Sequence, residues 1–154
     1  MRLDGAVSIG AGSCVAAAGT RVLARMLSVP GCETIAVVRP TVLIVDDHQR
    51  FRASARALLE ADGFDVVGEA ADGEAAFVAT AALRPAIVLL DIQLPGRDGF
   101  EIAEQLSAGS GCAAVILISS RNADVYGDRV GRAPVLGFIA KNELSGAAIA
   151  RLVE

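Results

Sequence analysis

Five short apolar runs, separated by longer segments of mixed polarity, dominate the chain from residue 41 onward. They begin at Val42, Val66, Ile87, Val115 and Leu136, so successive starts lie 24, 21, 28 and 21 residues apart. Strands joined through segments of that length run parallel, because an antiparallel hairpin needs a much shorter connection. The pattern therefore predicts an α/β fold built from five βα units.

The segments between the runs have the spacing of amphipathic helices. Phe51, Ala55 and Leu59 recur at four-residue intervals in the first segment, and Asp62-Gly63 is typical of a helix end. The same reasoning predicts a second helix that begins at residue 72 or 73 and ends at about 83, a third over residues 100–107, and a last helix over residues 144–153.

The fourth segment, residues 124–131, predicts only a weak helix. Gly127 would lie in its interior, where glycine costs about 1 kcal/mol relative to alanine. The segment is also short enough to fray at both ends. We therefore expect the chain to rearrange most easily here.

Composition fits one compact domain with a tail, since the 154 residues are 53% apolar and 21% charged. The charge is unevenly divided: residues 1–40 carry a net +2 and residues 41–154 a net −6. A domain with this acidic balance has no basic surface for a phosphate backbone. We expect no direct contact with nucleic acid.

Residues 1–40 show no sustained period, and we expect either a poorly ordered extension or a natural start further along, for example at Met26. The uncharged run over residues 5–20 has four glycines and neither leucine nor phenylalanine, which is too weakly apolar for a membrane span or a signal peptide. Cys14, Cys32 and Cys112 form no C-x-x-C pair, so we expect neither a zinc site nor a disulfide framework. These features predict a cytoplasmic protein.

Polar residues end four of the five runs. The first run ends in Asp46-Asp47, the third in Asp91, the fourth in Ser119 and the fifth in Lys141. The carboxyl ends of parallel strands meet at one edge of a sheet, where ligands of open α/β sheets bind. The sequence thus predicts that three carboxylates, a hydroxyl and an ammonium group converge.

Three neighbouring carboxylates repel one another unless a cation lies between them, and an all-oxygen site suits Mg²⁺. Lys141 is the only lysine of the chain, beside thirteen arginines. Because a compact ammonium group occupies this one position, we expect it to serve the same site. The cluster therefore predicts a magnesium centre with a neighbouring cation.

Each of these residues also has a purely structural interpretation. Asp46 or Asp47 could cap the first helix, Asp91 could form a turn, Ser119 could cap the fourth helix, and Lys141 could be a solvated surface charge. None of these roles explains why the residues fall together at strand ends. We assign no role to His48.

The segment DIQLPGRDG over residues 91–99, with Asp46-Asp47 ahead of it and Lys141 behind it, closely resembles the receiver domain of bacterial two-component response regulators. The resemblance covers residues 41–154. It implies a CheY-like, flavodoxin-like fold with a five-stranded parallel sheet in the order 2-1-3-4-5. It also implies a signalling domain rather than an enzyme.

The resemblance implies a role for each site residue. Asp91 would accept a phosphoryl group from a histidine kinase or a histidine phosphotransfer protein. Mg²⁺ would be held by Asp46, Asp47, Asp91 and the main-chain carbonyl of Gln93. Ser119 would bind a phosphoryl oxygen and Lys141 would pair with the phosphoryl group.

Phe138 matches the family's aromatic switch position, where tyrosine is commoner, and Asn142 replaces a frequent proline, which predicts a trans peptide bond. The sequence is most similar to receivers that precede helix-turn-helix output domains, although we expect no output domain here. A protein target or a second copy would bind the face made by the fourth helix, the fifth strand and the last helix.

Other functions stay open at this point. A receiver-like interaction module that no longer takes phosphate would keep the fold but not need the five polar side chains. A Mg²⁺-dependent phosphohydrolase with an aspartyl-phosphate intermediate would turn over small phosphate esters. A flavin or nucleotide binder would need a glycine- or hydroxyl-rich loop after the first strand, where this chain has the acidic pair.

Overall fold

The centre of the fold is a sheet of five parallel strands, seen in a computed structural model that describes residues 26–28, 35–37, 39–109 and 113–153. The strands are β1 (Thr41–Val45), β2 (Asp65–Ala70), β3 (Ile87–Asp91), β4 (Ala114–Ser119) and β5 (Gly137–Ala140). Their order is β2-β1-β3-β4-β5, which confirms the predicted flavodoxin-like topology.

Helices cover both faces of this sheet. They are α1 (Gln49–Ala61), α2 (Gly73–Leu83), α3 (Gly99–Ala108), α4 (Arg129–Arg132) and α5 (Gly146–Val153), with 3₁₀ turns at Ala123–Tyr126 and Lys141–Glu143. Every residue of β3 and β4 is buried, and all but the last residue of each strand are apolar, as expected of parallel strands between two helical layers. Successive side chains of β1 enter the cores on opposite faces of the sheet: Ile44 packs with α1 and α5, and Leu43 packs with α2 and α3.

Local capping sets where two of the helices begin. The Asp72 carboxylate accepts a hydrogen bond from the Ala75 N–H at the start of α2, at 2.8 Å. The Asp98 carboxylate does the same for the Phe100 N–H at the start of α3, at 2.9 Å. These bonds satisfy amides that have no partner within the helix, and they confirm the predicted starts of both helices to within a residue.

The weak fourth helix is confirmed. The chain forms one 3₁₀ turn, passes through Gly127 at φ +58°, and then makes only the single turn of α4. The positive φ explains the interruption, because it lies outside the right-handed helical region. Ser120 to Leu136 thus connect β4 to β5 with little regular structure.

Within residues 1–40, Met26–Ser28 and Ile35–Val37 pair as short antiparallel strands. The prediction of a poorly ordered extension otherwise concerns residues outside the described part, as do the expectations for Cys14, Cys32 and Cys112. Among the described helices, none combines the length and apolar character needed to cross a membrane.

Candidate functional site

The predicted site residues converge at the carboxyl edge of the sheet. Asp46 follows β1, Asp91 and Ser119 are the last residues of β3 and β4, and Lys141 follows β5. Asp46, Asp91 and Ser119 are fully or almost fully buried. Buried polar groups at strand ends need partners, so the contacts of each decide what it can do.

Asp91 is held by two donors. Its Oδ1 accepts a hydrogen bond from the Gln93 N–H at 3.0 Å, and its Oδ2 accepts one from the Lys141 Nζ at 3.2 Å. Burial raises the pKa of Asp91 above its ordinary value, and the Asp46 charge adds to the rise, while the Gln93 amide and Lys141 oppose it. The two donors therefore fix the orientation of the carboxylate, but they do not fully offset the cost of burying its negative charge.

Lys141 bridges the two buried carboxylates. Its Nζ lies 2.5 Å from Asp46 Oδ2 and 3.2 Å from Asp91 Oδ2. Burial alone lowers the pKa of Lys141, but the two carboxylates outweigh it and the net pKa is raised. The Phe51 ring lies 4.7 Å from Nζ and covers the ammonium group on another side. Lys141 is thus a fully charged, fixed cation.

Asp46, Asp47, His48 and Asp91 can place one ligand atom each within 4.8 Å of one another. Asp46 Oδ2 is buried, and from residues 39–109 and 113–153 it receives no hydrogen bond of normal geometry, only the close ionic contact with Lys141. Buried carboxylate oxygens with free coordination capacity, in a mainly oxygen donor set, suit Mg²⁺. These residues therefore fit the predicted ion.

The capping interpretation of the acidic pair is wrong. The residue that precedes α1 is His48, whose side chain makes no capping bond. The Asp46 Oδ1 instead accepts a hydrogen bond from the His48 N–H at 2.7 Å, and Arg52 donates to the Asp46 carbonyl at 2.6 Å. Asp47 is partly exposed, and its carboxylate faces the His48 ring at 3.0 Å.

The loop after Asp91 is held by backbone contacts. Gln93 begins a two-residue strand that pairs with Arg97–Asp98, and Gly96 turns between them at φ +78°. A Cβ on Gly99 would lie 2.5 Å from the Ile92 Cα and 2.7 Å from the Asp91 carbonyl oxygen. Only glycine lets the start of α3 approach the phosphoacceptor candidate this closely.

The Ser119 hydroxyl contacts a residue that the sequence did not single out. Its Oγ lies 2.6 Å from the Tyr126 hydroxyl oxygen and accepts a hydrogen bond from the Arg121 N–H at 3.0 Å. Ser119 is thus not a helix cap. Tyr126 could have been noticed as the only tyrosine of the chain, on the segment next to the predicted hydroxyl.

Three further residues that the sequence analysis discussed, Asn142, Phe138 and His48, lie at or near the site. The described residues contain no cis peptide bond, which confirms a trans bond before Asn142. Phe138 is half-buried, and its ring centroid lies 6.2 Å from that of Tyr126. His48, to which no role was assigned, lies beside both members of the acidic pair.

Fold and site together define a signalling domain of the two-component type, and residues 42–152 match the family model described as the response regulator receiver domain. The chain therefore belongs to the response regulator receiver domain family.

Individual relatives agree with this family. Response regulator GacA from Pseudomonas viridiflava is 32% identical over 114 residues, 73% of this chain and 51% of GacA. The DNA-binding transcriptional activator EvgA of Escherichia coli is 31% identical over 101 residues, 66% of this chain and 50% of EvgA. The signal receiver domain of NarL from Mycobacterium tuberculosis superposes with a TM-score of 0.64 at 32% identity, over 75% of this chain and 93% of that domain. The chain spans about half the length of GacA and of EvgA.

Proposed function

We propose that Asp91 accepts a phosphoryl group from the phosphohistidine of a histidine kinase or a histidine phosphotransfer protein. The observation that carries this proposal is the placement of Asp91 Oδ2, which is buried at the carboxyl edge of the sheet and lies 3.2 Å from the Lys141 ammonium nitrogen. A fixed carboxylate beside a fixed cation is what nucleophilic attack on a phosphoryl group requires.

In this reaction an Asp91 carboxylate oxygen forms the new P–O bond while the P–N bond of the phosphohistidine breaks, and the electron pair stays on the imidazole nitrogen. Lys141 stabilises negative charge on the transferred group, and the Ser119 hydroxyl donates a hydrogen bond to a phosphoryl oxygen. Asp46, Asp47, Asp91 and the Gln93 carbonyl would hold Mg²⁺, which would offset the charge of the carboxylates and of the phosphoryl oxygens.

The consequence of phosphorylation would be a change of the face formed by α4, β5 and α5. β5 is the edge strand of the sheet, and the neighbouring Val125 side chain is 56% exposed. This face would bind a protein target or a second copy, and the acidic charge of the domain supports a protein partner rather than nucleic acid. Hydrogen exchange of residues 121–141 should differ with and without beryllofluoride; equal protection would contradict the switch.

The alternatives have weaker support. An interaction module without phosphorylation does not explain why the aspartates, serine and lysine are all brought together. A phosphohydrolase with an aspartyl-phosphate intermediate would place its nucleophile after the first strand, whereas Asp91 ends β3. A cytoplasmic location is part of the proposal and rests on membership of the family.

The test is intact-mass measurement after incubation with acetyl phosphate. With Mg²⁺ we expect one addition of about 80 Da, the size of a phosphoryl group. The addition should be lost without Mg²⁺ and in Asp91→Asn, but kept in Asp65→Asn, which changes an exposed aspartate away from the site. An addition that persists in Asp91→Asn would contradict the proposal, and rapid turnover of a small phosphate ester would favour the phosphohydrolase.

A further inference from the structure

The hydroxyl of Ser119 is bound by a tyrosine from its own connecting segment. Tyr126 ends the 3₁₀ turn Ala123–Tyr126, and its hydroxyl oxygen lies 2.6 Å from Ser119 Oγ. The aromatic residue of β5, Phe138, has no hydroxyl to offer. The aromatic hydroxyl that contacts the serine therefore comes from the segment between β4 and α4.

The hydrogen-bonding capacity of Ser119 indicates which way this bond runs. A serine hydroxyl has one proton and two lone pairs, and the Arg121 N–H already occupies one lone pair. An N–H group cannot accept the serine proton. Ser119 is fully buried, so its proton needs an acceptor, and within the described part of the chain the Tyr126 oxygen is the one in hydrogen-bond contact.

We propose that Tyr126 is a positioning residue for the Ser119 hydroxyl: its oxygen accepts a hydrogen bond from that hydroxyl in the unphosphorylated domain, and this bond breaks when Asp91 is phosphorylated. This inference rests on the proposed function. A phosphoryl oxygen is anionic and forms a stronger, charge-assisted hydrogen bond than a neutral phenol does. The phosphoryl group and Tyr126 thus compete for the hydrogen bond that the Ser119 hydroxyl can donate.

Loss of the Ser119–Tyr126 hydrogen bond would change the surface of the domain through the aromatic side chains packed around Tyr126. Its ring lies between Phe100 of α3, at 5.8 Å between centroids, and Phe138 of β5, at 6.2 Å. The Arg129 guanidinium of α4 lies 4.2 Å from the Phe100 centroid and pairs with Asp98 at 2.5 Å. A shift of the tyrosine therefore changes contacts of α3, α4 and β5 together.

Removing the competing acceptor should strengthen binding of a phosphoryl mimic. We expect Tyr126→Phe, which keeps the ring, to bind beryllofluoride in the presence of Mg²⁺ about two- to tenfold more tightly, the equivalent of one neutral hydrogen bond. Calorimetric titration measures this change. In the Ser119→Ala background the same substitution should have no effect, because the hydroxyl that donates the hydrogen bond is gone.

Tyrosine fluorescence gives a second measurement that needs no variant of Tyr126. The chain has one tyrosine and no tryptophan, so its emission reports on Tyr126 alone. Beryllofluoride with Mg²⁺ should change that emission in the wild-type protein, and much less in Ser119→Ala.

The outcomes separate the two proposals. Beryllofluoride binding without a change in tyrosine emission, or an equal or weaker affinity in Tyr126→Phe, overturns the positioning role and leaves phosphorylation of Asp91 standing. Failure of the wild-type protein to bind beryllofluoride or to take a phosphoryl group overturns both. Tighter binding by Tyr126→Phe that persists in the Ser119→Ala background overturns the positioning role alone.

Discussion

The ammonium nitrogen of Lys141 lies 3.2 Å from Oδ2 of Asp91, although 50 positions of sequence separate the two residues. The contact exists because β3 and β5 run parallel on either side of β4 and end at the same edge. It places the only lysine of the chain against two buried carboxylates, and the net result is a raised pKa for Lys141.

Titration of Lys141 should show that raised pKa directly. Selective ¹⁵N-lysine labelling gives one side-chain resonance, and we expect its midpoint above the ordinary lysine value of about 10.4. The stability that the pairing contributes is present below that ordinary value and is lost as pH rises through the raised pKa. In Asp91→Asn the midpoint should fall, and a wild-type midpoint at or below the ordinary value would contradict the ion-pair geometry.

Replacing Asp91 with its uncharged isostere should stabilise the metal-free protein at neutral pH. Burial raises the pKa of Asp91, so the ionised carboxylate favours the unfolded chain, and the cost appears as pH rises through the raised pKa. Urea unfolding of Asp91→Asn should show a gain at pH 7 that shrinks toward about pH 4, near the ordinary pKa of aspartate. Asp65→Asn is the exposed control. If the wild-type protein were as stable as Asp91→Asn at pH 7, the prediction would be disproved.

Asp47 should be needed for the metal and not for the fold. Its carboxylate is partly exposed, and within the described part of the chain its one ionic contact is with the exposed ring of His48. We expect Asp47→Ala to weaken Mg²⁺ binding by more than about tenfold, since even loss of an outer-shell partner can do so. The unfolding temperature without metal should stay the same or rise, because a like charge is removed. Unchanged affinity in calorimetry would place the ion elsewhere.

Gly99 should be intolerant of any side chain. The Cβ of Gly99→Ala would meet the backbone of Ile92 at 2.5 Å and of Asp91 at 2.7 Å, and backbone cannot move aside cheaply. We expect a loss of about 1–3 kcal/mol in the free energy of unfolding, as for other overpacked sites. Gly131→Ala is the matched control, because its Cβ would meet no atom of the described residues within 4 Å and it lies in a helix. Equal stability of the two variants would refute the close approach.

The sheet and its polar edge could be predicted because their signals are local. β3 and β4 are buried strands of five and six residues in which every residue but the last is apolar, a pattern that parallel strands need when both faces are covered. Once the strands are parallel, topology alone brings Asp46, Asp91 and Lys141 to one edge. The residues that form the site could therefore be predicted from the fold.

Contacts made by irregular segments could not be predicted in the same way. The Ser119–Tyr126 bond depends on the path of a 3₁₀ turn and on Gly127 at φ +58°, and neither leaves a periodic signal. The acidic pair was open to a capping role because Asp46 and Asp47 both lie just ahead of α1. In the structure His48 immediately precedes the helix, and its N–H donates to the Asp46 carboxylate. Side-chain geometry, rather than residue type, decided both points.

The most direct test of the central claim is to locate the phosphoryl group. Borohydride reduction of the protein phosphorylated by acetyl phosphate and Mg²⁺ converts an aspartyl phosphate to homoserine, which peptide mass mapping can place in the sequence. We predict homoserine at the position of Asp91 and at no other aspartate. Homoserine at Asp46 or Asp47, or a phosphoryl group that resists reduction, would contradict the account.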